Sequence, residues 1–393
     1  MLGNNLEGSS VAISYHEALH RIQTHVQPLC DSETLPLLAS LNRISSHDVC
    51  AQFSLPRYPM SLKEGYGVSF LEHAADYTFL KLPYPSIIPQ GYGVHLSTGG
   101  QVPFGVDTII AHEDAHEDHG KLFIPSVVSH EQHIKKEGED ITRGEVLVHA
   151  FERITAQKMT ALASQGIEYA SVLKKPRIGI VSVGSQLASG EIHNSNAITI
   201  AARVIEMGGC VEHLKICDEH KTDILNTLEV MSHEVDGIIT TGGMSPDDAM
   251  CHLVMEKHLS IVFHYVRLAP AKPSALSMFH NKPILHLPGL PLGCLLGFEM
   301  LGIPLLKQLL HHANIFPDST IRINQKRIVC KPNCMNAIPG YSDGRGFSRA
   351  PYYEAGRLNI LSSCNGYTLI EDRESVEEGE EIPFFSFAHP PVS

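Results

Sequence analysis

The sequence predicts a multidomain α/β protein: a central α/β unit, a β-rich insertion flanked by helical segments, and a small C-terminal β domain. Three observations predict it. From Pro176 onward short apolar runs alternate with helical patterning, the pattern of a mainly parallel sheet covered on both faces. Residues 51–145 are instead rich in proline and glycine around short apolar stretches, with helical patterning before and after them. After residue 313 the chain changes again to short β-like runs. At 393 residues it is long enough for several domains and a sizeable core.

Taken in order, Ser14-Tyr15-His16-Glu17 has the form of a capping box, and Ala18, Leu19, Ile22 and Val26 follow at helical spacing. In the insertion, Thr108-Ile109-Ile110 and Leu122-Phe123-Ile124 read as strands. Helical patterning returns near Glu145 and runs through Ala163, and the helices on either side of the insertion are expected to pack together. The expected domains are therefore 14–49 with 146–175 (helical), 50–145 (inserted, β-rich), 176–312 (α/β) and 313–393 (C-terminal β).

Within the α/β region Arg177 to Val183 reads as a buried strand. Ser195 caps a helix carrying Ile200, Ala201, Val204 and Ile205, which Gly208-Gly209 ends. The alternation continues with a strand over Val211 to Ile216, a helix around Ile224 to Met231, the strand into Thr240, a helix after Pro246 and a strand over Phe263 to Leu268. Ile321 to Val329 and Leu358 to Ile360 are the β-like runs of the last domain.

Composition narrows the function. The formal net charge is −13 and Lys and Arg are not clustered, which argues against nucleic acid or a membrane surface as partner. Met1 to Ser10 lack a basic start and apolar core, and no run reads as long enough to span a bilayer, so a cytoplasmic location is expected. Nine cysteines without a Cys-x-x-Cys pair suggest neither a disulfide framework nor a zinc ribbon. The 24 histidines and the lack of Trp stand out without a physical reason.

Three loops carry the chemistry. Thr240-Thr241-Gly242-Gly243-Met244-Ser245 ends a buried run and opens a helix, where bare backbone N–H groups allow an anion to approach without meeting a Cβ; a plain strand-to-helix connection is the alternative. Pro270-Ala271-Lys272-Pro273 fixes the backbone on both sides of one cation. Leu287-Pro288-Gly289-Leu290-Pro291 ends another strand and starts a helix. All three are expected at strand carboxyl ends, where α/β sheets bind ligands. His112-Glu113-Asp114-Ala115-His116 matches HExxH, but it follows a strand in a charged loop, whereas zinc ligation needs both histidines on one helical face.

These loops resemble, in order, the TSGGxS, PGKP and LPGNP motifs of the molybdopterin molybdenumtransferases, the MoeA and gephyrin E-domain group. Pro56 to Val68 resembles that family's P-x-F-D-x-S-A-M-D-G-Y-A-V segment. Ser97-Thr98-Gly99-Gly100-Gln101-Val102-Pro103 is similar to TGAPVP, Gly138-Glu139-Asp140-Ile141 to GEDI, and Asn194-Ser195-Asn196 to DSN. The resemblance covers roughly residues 14 to 393.

It implies a MoeA-like fold with a C-terminal β-barrel, in an L-shaped homodimer whose active site lies between the α/β domain of one subunit and the inserted domain of the other. It implies molybdenum cofactor biosynthesis: adenylylated molybdopterin and molybdate as substrates, and Mg2+ as cofactor. A molybdopterin adenylyltransferase or a molybdoenzyme is the implied protein partner. By the same resemblance the catalytic set is Glu64, Asp140, Asp218, Asp248 and Lys272, with Glu64, Asp218 and Asp248 holding the metal. The ligand would be bound by Ser61, Thr98, Ser195, Asn196, Thr241, Gly242, Gly243, Ser245, Pro270, Pro273, Pro288, Gly289 and Arg349.

Departures from the motifs fall on these positions. The acid of the DGYA segment is Glu64, one methylene longer than aspartate. Ser185 and Gln186 replace the two acids of TGDEL, and Met250 stands where a second loop acid is expected. Ala271, Leu290 and Gly293 replace the motif Gly, Asn and Ser, and Ala355-Gly356-Arg357 replaces Ser-Ser-Arg. These losses admit a second function: a catalytically weakened paralogue that binds molybdopterin or finished cofactor as carrier, chaperone or scaffold.

Overall fold

The computed structural model describes residues 12–71, 76–124, 128–256, 258–351 and 358–387; Ala355-Gly356-Arg357 lies outside them. The chain forms two compact units. One comprises the described residues up to Leu35, Asn42–Ser46 and those from Ser171 on; the other comprises Pro36–Leu41 and His47–Ala170.

The first unit is built on a six-stranded sheet in the order Cys210–Cys217, Arg177–Val183, Gly237–Thr241, Lys282–Leu287, Ala275–Phe279, Ser260–His264. The first four strands are parallel. Gly237–Thr241 is buried throughout, as expected of an apolar strand covered on both faces. Register sets Ser182 beside Thr241 and Thr241 beside Leu287, so the loops that follow leave from one edge. Ala275–Phe279 runs antiparallel, with Ala275 level with both His286 and His264. The loop that precedes it, 270–274, therefore lies at the same edge.

Helix Tyr15–His25 forms as expected, with the Ser14 hydroxyl accepting the Glu17 N–H at 3.1 Å. Glu17 does not complete the capping box, because its carboxylate pairs with Arg21 at 2.7 Å. The buried face of this helix, Tyr15, Ala18, Leu19 and Ile22, joins Leu305, Leu306 and Leu309 in the α/β core. Its apolar stripe is covered within its own unit. The helix after the insertion is shorter than expected. It spans Ala156–Ser164 behind a Thr155 cap, while Val146–Val148 pairs as a strand with Val49–Cys50 and Phe151 turns the chain at φ +63°.

Two further corrections concern strands. The run 263–268 is broken at Tyr265, whose φ of +62° is incompatible with a strand, and Leu268–Ala269 pairs with Met335–Asn336 in the C-terminal sheet. Leu358 to Ile360 is a turn before the 3-10 segment Leu361–Ser363. The helix expected to start at Pro291 is longer and more apolar than the sequence suggested. Pro291–Leu309, with a π-helical stretch at Phe298–Gly302, is long and apolar enough to cross a bilayer, but 94% of it is buried as a core helix.

The C-terminal part closes into a β-barrel. Met335–Ser342 pairs with both Gly346–Arg349 and Gly366–Glu371, and Thr320–Asn324 and Glu381–Ser386 complete the ring. Ile338, Phe347, Ile370, Ile382 and Phe384 are buried together in one cluster.

The second unit carries its own six-stranded sheet, ordered Thr108–Ala111, Gly65–Val68, Tyr92–Leu96, Asp76–Leu80, Lys121–Phe123, His116–Asp118. Its core includes Tyr66, Val68, Tyr77, Ile110 and Leu122. His112–Asp114 is a 3-10 turn and His116 starts a strand, so the two histidines do not share a helical face. His112 instead stacks on Tyr66 with ring centroids 5.7 Å apart.

Candidate functional site at the carboxyl edge of the central sheet

The Gly-Gly loop takes its shape from its neighbours. Gly242 and Gly243 have φ of +84° and +69°, and a Cβ on Gly242 would stand 2.4 Å from the Val183 carbonyl oxygen. Gly242 N–H donates to Leu287 O at 3.1 Å, and a Cβ on Gly289 would touch Gly242 Cα at 3.3 Å. The first and third loops are therefore in direct contact. Asn196, in the first turn of helix Ser195–Glu206, fastens the third with an Nδ2 bond to Gly289 O at 2.7 Å. The cap of that helix is Asn194, which accepts the Ala197 N–H; Ser195 is its first, exposed helical residue rather than the cap.

A pocket of ≈ 370 Å³ opens here, lined by Val183, Gly184, Ser185, Gln186, Leu187, Ile192, Asn196, Glu219, Thr241, Gly242, Gly243 and Gly289. Of the expected ligand-binding residues it gathers Asn196, Thr241, Gly242, Gly243 and Gly289. Ser185 and Gln186 are the residues that replace the two acids of the TGDEL motif, whereas Ile192 and Glu219 were missed by sequence reasoning. The signal for them was the strand Arg177–Val183 running into Gly184, the same strand-then-glycine arrangement as at Thr241-Gly242.

The other expected residues in this unit lie outside that lining. Lys272 is exposed and makes no ion pair among the described residues. Its loop is stiff: Ala271 is buried at φ +41°, the Ser274 hydroxyl donates to Ala271 O at 2.9 Å, and Val266 N–H donates to Lys272 O at 3.1 Å. Pro270 and Pro273 are half-buried beside it, and Pro288 is buried. Asp248 is the N-cap residue of helix Ala249–Met255, but its Oδ2 accepts the N–H of the exposed Ser245 at 2.7 Å, closing the turn. Asp218 directly follows strand Cys210–Cys217. The Ser185 hydroxyl and the Glu219 N–H, at 2.7 Å, hold its carboxyl below the usual range. Arg349 is tied to the barrel by an Nε bond to Arg327 O at 3.0 Å.

In the second unit, Ser61 is buried and its hydroxyl donates to Lys63 O and accepts Lys63 N–H, the bonding of a turn residue. Thr98 is exposed, Asp140 pairs with Lys135 at 2.6 Å, and Glu64 is exposed with His95 at 3.9 Å. Among the described residues no three His, Cys, Asp or Glu side chains converge to hold a metal ion.

Comparison with known proteins bears on this edge directly. Residues 13–166 match the model of the MoeA N-terminal region (domain I and II), and residues 179–308 match that of a probable molybdopterin binding domain. The chain is 29% identical to the molybdopterin molybdenumtransferase of Bacillus subtilis over 321 residues, 75% of this chain and 74% of that protein. It is 26% identical to the enzyme of the same name from Haemophilus influenzae, over 71% of this chain and 73% of that one. In three dimensions it is similar to the molybdopterin biosynthesis MoeA protein of Pyrococcus horikoshii, with a TM-score of 0.82 over 96% of this chain and 100% of that one at 22% identity, a likeness of fold.

Proposed function

This chain belongs to the molybdopterin molybdenumtransferase family, and on that premise we propose that it inserts molybdate-derived molybdenum into adenylylated molybdopterin with release of AMP. The observation that carries the reading is the convergence of three loops, 241–245, 270–273 and 287–291, on one sheet edge, two of them in contact and the third presenting a lysine that makes no ion pair among the described residues. Substrate and product are anionic. Lys272 supplies the charge that attracts them, and its stiff loop loses little entropy on binding.

Mg2+ is held by one or two carboxylates together with water and phosphate oxygens. Asp218, kept ionised by Ser185 and Glu219, suits such an ion, and Asp248 retains one carboxylate oxygen for it. Bound there, the ion would draw charge from the phosphate. Glu64 and Asp140 are the acids that the resemblance names in the second unit. The resemblance also supports a cytoplasmic homodimer.

The test is AMP release from adenylylated molybdopterin by purified protein with Mg2+ and molybdate. A second reading, a weakened paralogue acting as carrier, chaperone or scaffold, is favoured by Met250. This residue is fully buried against the Gly243 turn and shapes the loop without charging it. Pterin binding without AMP above background selects that reading.

A further inference from the structure

Cys251 and His264 face each other inside the first unit, and the proposed chemistry uses neither. Cys251 lies in helix Ala249–Met255 and His264 ends strand Ser260–His264; they are 3% and 9% exposed. Sγ and Nε2 are 3.9 Å apart, a weak contact for a thiol hydrogen bond, and Nδ1 of the same ring is buried with no hydrogen-bond partner among the described residues. Neither tautomer cures this, because a proton on Nδ1 is an unmet donor and its absence leaves an unmet acceptor. A buried imidazole held so loosely at both nitrogens is suited to an ion. Burial, with Asp248 adding to it, holds the thiol above its usual pKa, and burial holds the imidazole below its own. The pair therefore rests as neutral thiol and neutral ring, not as the thiolate and imidazolium of a nucleophile.

The gap between them has the dimensions of a metal bridge. Bonds of about 2.3 Å to sulfur and about 2.0–2.1 Å to nitrogen set the two atoms roughly 3.6 Å apart at a tetrahedral angle and roughly 4.3 Å apart in line, and 3.9 Å lies between. Among the described residues no third His, Cys, Asp or Glu joins them to hold an ion. Zinc asks for four ligands, whereas a soft monovalent ion of the copper(I) class is held by thiolate and imidazole alone. Charge selects the same class. The thiol proton leaves to solvent as the sulfur–metal bond forms, so thiolate and monovalent ion sum to zero, while a divalent ion would leave a net positive charge in the interior.

We propose that Cys251 and His264 form a two-coordinate site for a soft monovalent cation of the copper(I) class. It lies behind two loops of the carboxyl edge. Cys251 N–H donates to Gly243 O at 3.0 Å, and Tyr265, next to His264, opens the turn in which Val266 N–H donates to Lys272 O at 3.1 Å. A bound ion ties the support of the first loop to that of the second, whether or not the chain is an active transferase.

Silver(I) is the air-stable probe of this class. The full chain is loaded with Ag+ and washed with excess glutathione, a monothiol that strips ions held by single exposed thiols such as Cys30 and Cys50, and the retained metal is counted. The wild type should retain about one ion per chain, and Cys251→Ser or His264→Gln about ten-fold less, since even partners outside the ligand shell are worth that much in affinity. His264→Gln keeps every cysteine, so its loss of the ion separates a Cys–His site from binding by thiols alone. Zn2+ should not be retained. X-ray absorption of the loaded wild type, which needs no variant to fold, should show one sulfur and one nitrogen neighbour. Sulfur-only coordination, equal retention by His264→Gln, retention of Zn2+, or no retained Ag+ would overturn the site.

Discussion

Gly242 and Lys272 play opposite parts at the rim, one by geometry and the other by charge. Gly242→Ala forces a Cβ to 2.4 Å from the Val183 carbonyl oxygen at a φ of +84°. The left-handed backbone alone costs about 1–2 kcal/mol, and the overlap adds to it. We expect a loss of at least ~2 kcal/mol in chemical denaturation together with loss of ligand binding. Lys272→Ala should leave the denaturation midpoint unchanged, because the side chain is exposed and unpaired among the described residues, yet weaken AMP or molybdate binding about ten-fold or more. Unaltered affinity would remove Lys272 from the site. Both residues stand out in the sequence, one within Gly-Gly and one between prolines. Ser185 and Gln186 stand out as replacements of two motif acids, whereas Glu219 does not, because its place in the pocket lining is set by the fold rather than by a local pattern.

At the scale of elements, the sequence reading succeeded where apolar periodicity and caps were local. Strand Arg177–Val183 and helix Tyr15–His25 start and stop where their residues predict. It failed where one backbone angle or a distant partner decided. Tyr265 breaks a continuous apolar run, and Leu268–Ala269 changes sheets to meet Met335–Asn336. A helix was expected to start at Pro291, but the length of the core run Pro291–Leu309 is disguised by Pro304, its glycines and Glu299. Glu299 is fully buried and pairs with Arg203 at 2.7 and 3.1 Å, joining this run to helix Ser195–Glu206. Arg203 would keep Glu206 and the Phe387 carbonyl if Glu299 were removed, so the sharper test is the reverse change. Arg203→Met takes the guanidinium away from the buried Glu299 carboxylate and should cost about 3–5 kcal/mol of stability, whereas replacing both residues with apolar side chains of similar volume should recover much of it. Denaturant midpoints of the single and double variants check this.

For the molecule as a whole, pH is the variable its composition singles out, with 24 histidines against a net charge of −13. Many of the histidines are exposed beside carboxylates, as His280 is beside Glu229 at 3.0 Å. His286 is different. It is fully buried between the Thr240 hydroxyl at 2.9 Å and the Ser277 hydroxyl at 2.8 Å, and burial drives its pKa down to about 3. Since the folded pKa lies below the unfolded value of about 6.5, the unfolded chain takes up the proton first, and stability falls as pH drops from about 6.5 toward 3. His286→Gln, which can keep both hydroxyl partners, should flatten that part of the stability–pH curve, while an unchanged slope would show that other groups set it.

The loops at the carboxyl edge are proposed to turn over an adenylylated pterin despite Ser185, Gln186 and Met250. The most direct measurement is the time course of AMP release from adenylylated molybdopterin with Mg2+ and molybdate, run for the wild type beside Lys272→Ala. The proposed function predicts molybdate-dependent AMP release by the wild type and about ten-fold less by the variant under subsaturating substrate. AMP at background in the wild type, with the pterin still bound, would contradict it.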